Sequence, residues 1–354
     1  MRNAGWSRSP CFLYDPGMVW SPRRKITEAD RYIVFNSTHT VVFELRDDGY
    51  LGSAAVTLVS RREKKRSTRI FQSLLPMGRY GMPVESGSGA VRHRRPGVTL
   101  NFVPMDGGAR IIRADIPRHG SSRSIRGELV LSEPDNIVGL TGNGIAGVTG
   151  TAGVTGAAGV TGAESLVCNT PWRGDRSAFR YSRCSPWYTA EGVVQFGTTE
   201  IVFTRGNSWG IFDWTRTVRP RADTRYWAAA CGTAVSGGRR RLVGFSVGHG
   251  TEDSSAGTGN AFFTDGVLHK LDQITFHIPP ADWLSPWRFT GNDGRLEMTF
   301  TPQQERGDRS GILFHSFTRR QFFGTFSGRA VLDDGSDLEF RGITGIAERV
   351  KTRF

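Results

Sequence analysis

Phe322-Phe323-Gly324-Thr325-Phe326-Ser327-Gly328-Arg329-Ala330-Val331-Leu332 decides the fold class of this chain. Phe322, Gly324, Phe326, Gly328, Ala330 and Leu332 recur every second residue, with Thr325, Ser327 and Arg329 between them. A period of two puts one set on a buried face and the other on the opposite face of a strand. Just beyond it, Asp334-Gly335 signals a tight hairpin, because Gly supplies the positive φ such turns need. That turn pairs Arg329–Leu332 with Leu338–Phe340. Working outward, Val98, Leu100 and Phe102 alternate with polar residues, and so do Leu296, Met298 and Phe300. Asp48-Gly49, Asp265-Gly266 and Asp293-Gly294 are further hairpin signals. No stretch carries a sustained helical stripe, and short helices or turns are expected only around Ala281–Leu284.

The expected fold is therefore all-β, with two antiparallel barrel or half-barrel domains packed together and few short helices. Closing the sheets removes exposed edges that would otherwise aggregate. Gly244, Gly324 and Gly328 inside strands suit sharp bends at barrel corners. From Asn136 to Ala163 no residue is charged, and Gly recurs at every third position from Gly144 to Gly162. Without abundant Pro this is no triple helix, and its Gly and Thr content suits no membrane span. It is expected to be a flexible loop dividing an N-terminal half, 1–135, from a C-terminal half, 164–354.

The 354 residues hold a formal net charge of +13, from 41 Arg and 5 Lys against 33 acids. Residues 1–135 carry 22 basic and 13 acidic residues, so the excess sits mainly there. Solvated loop faces account for such runs, and an Arg-rich first half docking weakly on an anionic surface, membrane headgroups or nucleic acid, is the alternative. No specific nucleic-acid motif and no transmembrane segment is present. Cys11, Cys168, Cys184 and Cys231 lack C-x-x-C spacing, so free thiols are expected rather than a disulfide framework or a zinc site. The first residues contain no apolar signal core, and a cytoplasmic location is the expectation. No metal-ligand spacing, P-loop or dinucleotide fingerprint occurs, so no cofactor and no metal is expected.

Chemistry-bearing residues cluster twice. The first cluster holds Trp209, Asp213, Trp214 and Arg216, followed by Tyr226 and Trp227. An acid among aromatic rings with a cation nearby has an altered proton affinity, which suits proton transfer to an apolar ligand. The other reading is a buried Asp213–Arg216 pair that fixes a barrel corner. The second cluster is His249-Gly250-Thr251-Glu252-Asp253, followed by Asn260. His249 titrates near neutrality and can act as acid or base, whereas the same residues also make an ordinary surface loop.

At these clusters the chain resembles the family catalogued as domain of unknown function 2804. The likeness rests on Gly5-Trp6-Ser7-Arg8, Asp48-Gly49-Tyr50-Leu51-Gly52, Gly210-Ile211-Phe212-Asp213-Trp214, Tyr226-Trp227, Asp265 to Leu271, Pro286-Trp287-Arg288 and Gly345-Ile346-Ala347-Glu348. It implies a lipocalin-like, two-barrel fold similar to that of carotenoid hydratases and tocopherol cyclases. By that analogy the ligand is a large hydrophobic, isoprenoid- or lipid-like small molecule. Any activity would be that of a cofactor-independent hydratase, cyclase or isomerase. Asp213, Arg216 and His249 are then the candidate catalytic residues, and Trp209, Trp214, Tyr226, Trp227 and Asn260 the candidate ligand contacts. The expected site is an apolar hollow inside curled strands with Asp213 facing it. Thr215, Thr217, Arg219 and Gly259 depart from the family pattern, the last where a glutamate is usual.

Overall fold

The computed structural model describes residues 4–120, 122–134, 162–172, 174–236, 238–312 and 315–353. The Gly-rich tract expected to be a flexible loop lies outside the described residues, apart from its last two.

The chain is all-β, folded into two curled antiparallel half-barrel sheets. The first sheet begins with β1 (Gly5–Ser7), β2 (Ile26–Phe35), β3 (His39–Asp47), β4 (Leu51–Ser60), β5 (Lys65–Leu74) and β6 (Val91–Arg95). It continues with β7 (Val98–Pro104), β8 (Arg110–Ile116), β9 (Ile125–Ser132), β10 (Leu166–Trp172), β11 (Asp175–Phe196), β12 (Thr199–Phe203) and β13 (Trp209–Val218). The second sheet starts with β14 (Ala222–Ser236), β15 (Arg239–Gly250), β16 (Ala261–Thr264), β17 (Val267–Lys270) and β18 (Ile274–His277). β19 (Trp287–Gly291), β20 (Leu296–Ile312), β21 (His315–Val331) and β22 (Asp337–Arg353) complete it.

The main path of the first sheet runs β5-β4-β3-β2-β13-β11-β9-β8-β7-β6, and that of the second β17-β16-β15-β14-β22-β21-β20-β19-β18. The sheets thus divide the chain between Val218 and Ala222. A division at 136–163 would instead separate segments of one sheet, because β13 pairs with β2 and β11 with β9.

Each expected hairpin forms. Asp48-Gly49 joins β3 to β4, Asp265-Gly266 joins β16 to β17, and Asp293-Gly294 joins β19 to β20. Asp334-Gly335 sets the β21–β22 register in which Ala330 faces Leu338. Ala281–Leu284 forms a turn rather than a helix, with the Leu284 N–H donating to the Asp282 carboxylate at 2.9 Å.

Period-two patterning sorts the core into two clusters. Along β14, Ala228 and Ala230 face the concavity of the second sheet, while Trp227, Ala229 and Cys231 join the core of the first. The second concavity is filled by Phe245, Phe262, Trp287, Phe289, Phe300, Phe326 and Phe340, with Phe300 and Phe326 stacked at 4.3 Å. Tyr32, Phe102 and Phe212 pack inside the first at 4.8–4.9 Å. The expected apolar hollow inside the strands is thus occupied by aromatic side chains, as close packing of so many rings requires. Cavities lie at the junction of the two sheets, and a further groove lies beside β5 and β6 of the first. Gly244 stands at that junction, where a Cβ would collide with the Pro186 carbonyl of β11. Its role is close approach of one sheet to the other, rather than a bend.

Candidate functional site

The junction is lined by charge. On the first sheet β2, β3 and β13 present Arg31, Glu44 and Asp213, and on the second β21 and β22 present Arg319 and Glu348. Arg31 donates from Nη2 to Asp213 Oδ2 at 2.7 Å and from Nη1 to Glu348 Oε2 at 2.7 Å. Arg319 crosses the other way, from Nη1 to Glu44 Oε2 at 2.7 Å. Burial works against the charge of Arg31, but Glu348 and Asp213 outweigh it and hold its pKa above the ordinary value. Burial likewise opposes the Glu348 carboxylate, yet Arg31 and Arg319 prevail and hold its pKa at about 2. Isolated buried charges would be prohibitive, so each is met by an opposite one.

Asp213 is thus buried in an ion pair, and the cavity beside it measures only about 90 Å³. Its partner is Arg31, not Arg216. Residues three apart on a strand face opposite ways, so Asp213 and Arg216 cannot share a site. Arg216 is fully buried in the first core, donating to Asp30 Oδ1 at 2.8 Å and to the Pro83 carbonyl at 2.7 Å. Its guanidinium lies 4.2 Å from the Trp214 ring centre, and Tyr181 meets Trp214 edge-on. Trp209 packs, partly buried, against the same core. Trp214 and Arg216 thus pack away from the candidate cavity.

The remaining candidates do converge. A cavity of about 390 Å³ opens between β10 and β11 of the first sheet and β15 and β18 of the second. His249 and Asn260 line it, together with Arg180, Arg225, Glu252 and Phe276. The His249 imidazole stacks on Tyr226 at 4.9 Å and meets the edge of Phe276 at 5.1 Å. Among the described residues its ring nitrogens have no hydrogen-bond partner. Desolvation against those rings lowers its pKa, an effect partly offset by Glu252. Asn260 is a brace: its Oδ1 accepts the Gly248 N–H at 2.6 Å and its Nδ2 donates to the Asp272 carbonyl at 2.7 Å. Trp227 lies behind the wall, under Arg31 at 4.7 Å, with its indole N–H on Ser246.

Two arginines on the wall escaped the sequence reading. Arg180 donates to Glu252 Oε1 at 3.2 Å and to Asp223 Oδ2 at 3.1 Å. Arg225 immediately precedes Tyr226 and points to the other face of β14. Parity along Asp223, Arg225 and Trp227 is the signal that could have found it. Glu252 Oε2 is buried without a hydrogen-bond partner.

Cys168, Cys184 and Cys231 are buried free thiols and Cys11 is exposed. Burial pushes Cys168 up to about 11 and Cys184 up to about 12, which leaves them unreactive near neutral pH. Among the described residues no helix is long and apolar enough to cross a membrane.

Fold and site together define an all-β protein of two stacked half-barrel sheets with an ionic layer between them. Within that class, the chain belongs to the family described as domain of unknown function (DUF2804), whose model matches residues 1–354. Among curated proteins none matches this chain. Solved structures resemble it, two among them being the following. One is a Nitrosomonas europaea protein described as an AttH, with 13% identity, a TM-score of 0.47, and coverage of 91% of either chain. The other is kievitone hydratase from Nectria haematococca, with 8% identity, a TM-score of 0.44, and coverage of 99% of this chain and 98% of that one.

Proposed function

We propose that this protein binds a small organic molecule with an apolar body in the cavity between β10–β11 and β15–β18, and exchanges a proton with it through His249. The observation that carries this reading is the imidazole of His249 on the cavity wall, packed against Tyr226 and Phe276 with its nitrogens unbonded among the described residues. A volume of about 390 Å³ falls at the lower end of ligand sites, so a compact molecule suits it better than a long isoprenoid chain. Glu252 beside His249 favours the imidazolium, so it steadies the proton once taken up. Reversible proton exchange is the step common to hydration, cyclisation and isomerisation. Asp213, committed to Arg31, has no part in it.

Native mass spectrometry of the protein purified from its source tests the binding site. Wild type should retain an organic species that Ser254→Trp, which fills the cavity, does not. The same mass in both spectra would place the ligand elsewhere. His249→Phe should keep the ring stack and the ligand but abolish proton exchange, read as loss of deuterium uptake by the bound species.

A second reading has its own observation. The sheet edges β5 and β6 flank a groove of about 510 Å³ lined by Arg79, Arg92 and Arg95, with exposed Leu74, Leu75 and Met77 at or next to it. Cations beside exposed apolar side chains suit an anionic membrane surface. It predicts retention on phosphatidylserine vesicles that falls steeply with salt, and retention unchanged by salt would remove it.

A further inference from the structure

Other arginines at the sheet junction have carboxylate partners. Arg31 has Asp213 and Glu348, Arg319 has Glu44, Arg180 has Asp223 and Glu252, and Arg46 and Arg219 share Asp48. Arg225 differs. Among the described residues nothing makes a hydrogen bond or ion pair with its guanidinium. Its neighbours are the Trp227 ring, 6.0 Å away, and Arg180, a like charge. Asp213, Glu252 and Glu348 act on it only through space, because each is already bound to another arginine. Arg225 lines both the 390 Å³ cavity and the smaller one beside Asp213.

Arg225 is only partly buried and lines the cavity, so its donors, met by no protein group among the described residues, are available to an arriving anion. The planar guanidinium matches a carboxylate through two parallel N–H···O bonds. We propose that Arg225 is the anchor for a carboxylate on the ligand of this cavity, so that the substrate class is small organic acids with an apolar body. This deepens the cavity reading above and rests on it. The acid enters with its carboxylate toward Arg225 and its apolar part against Phe276 and Ile274.

The test uses the full chain with hexanoate, decanoate and cinnamate, their neutral primary amides, and phenyl phosphate. Binding is followed by calorimetry and by the Nε–H nuclear magnetic resonance signal of Arg225, identified by its loss in Arg225→Lys. The acids should bind and move that signal, and the amides should bind about 30-fold more weakly, equivalent to about 2 kcal/mol. Arg225→Met should lower acid affinity by a similar factor without changing amide affinity. Arg225→Lys should restore part of it, and Ser254→Trp should abolish binding of both series. If amides bind as well as acids and both are lost in Ser254→Trp, the cavity reading stands and the carboxylate anchor is wrong. If phenyl phosphate outbinds every acid, the anion is a phosphate and the proposal is overturned. If no acid binds, or acids bind equally to Arg225→Met, it is overturned as well.

Discussion

Arg31 on the first sheet and Glu348 on the second meet at 2.7 Å, a buried ion pair spanning 317 residues of sequence. Arg319 and Glu44 repeat the crossing with the charges exchanged between the sheets. Such pairs contribute little net stability over an apolar core, but removing one member strands the other. Their reciprocal arrangement penalises any sliding of one sheet over the other, because a shifted register would oppose like charges.

Glu348→Gln should therefore destabilise the protein by about 3 kcal/mol at pH 7, read as the denaturant midpoint. It should also change the acid limb. The ordinary value for this carboxyl is 4.5 and in the fold it is held at about 2. As pH falls from 4.5 toward 2 the unfolded chain gains a proton that the folded chain refuses. Stability then drops by up to ~1.4 kcal/mol per pH unit from this group. The Gln variant should lack that contribution. An identical acid slope in both proteins would show that the pair is not formed.

Asp213→Asn and Arg216→Met separate structure from chemistry. Arg216→Met leaves Asp30 uncompensated inside the first core, with an expected cost of about 3–5 kcal/mol. Asp213→Asn keeps a hydrogen-bond acceptor for Arg31 and should cost less, about 1–2 kcal/mol. Neither should weaken the affinity of a carboxylate probe measured on the folded fraction. A selective loss of ligand binding in Asp213→Asn would return that residue to the site.

The β character, the hairpins and the alternation were legible because period-two patterning and Asp-Gly turns act locally. Leu296, Met298 and Phe300 are buried as the alternation requires, and Ala330 faces Leu338 as the Asp334-Gly335 turn dictates. Half the candidate site was legible too: His249 and Asn260 line one cavity, and Tyr226 stacks on His249. The rest was not, for two physical reasons. Proximity in sequence suggested an Asp213–Arg216 pair that strand parity forbids. The true partners, Arg31, Arg180 and Glu348, are brought together only by long-range pairing that no local pattern encodes.

Lys270 gives a second pH signature. Its ammonium is buried and donates to Thr258 Oγ1 and to the carbonyls of Asn260 and Leu271, with no carboxylate among these acceptors. Burial lowers its pKa from 10.5 to about 8. Below pH 8 the folded and unfolded chains are both protonated and the full cost is present. Between pH 8 and 10.5 only the unfolded chain keeps the proton, so stability rises with pH across that window. The difference in denaturation midpoint between wild type and Lys270→Met should therefore shift toward wild type between pH 7.5 and pH 10. A difference independent of pH would contradict the depressed value.

Gly244→Ala should be among the most damaging small substitutions, because the added methyl group meets the Pro186 carbonyl backbone rather than a movable side chain. A loss of about 2–4 kcal/mol is expected by thermal or chemical denaturation. Gly238→Ala, in the β14–β15 turn where nothing lies within 4 Å of a Cβ, should cost only the strain of its positive φ. Equal effects at the two positions would mean that the sheets are not in contact at Gly244.

The pairing of β2 with β13 fixes when the molecule can take shape. Residues 26–35 are made before the strand that completes their sheet, 209–218, which emerges only after the intervening residues 36–208. Until then β2 exposes Ile33, Val34 and Phe35 beside an unfilled edge. A nascent chain with this topology must be shielded from its neighbours until that strand is made, and its yield should depend more on chaperone supply than on the stability of the finished fold.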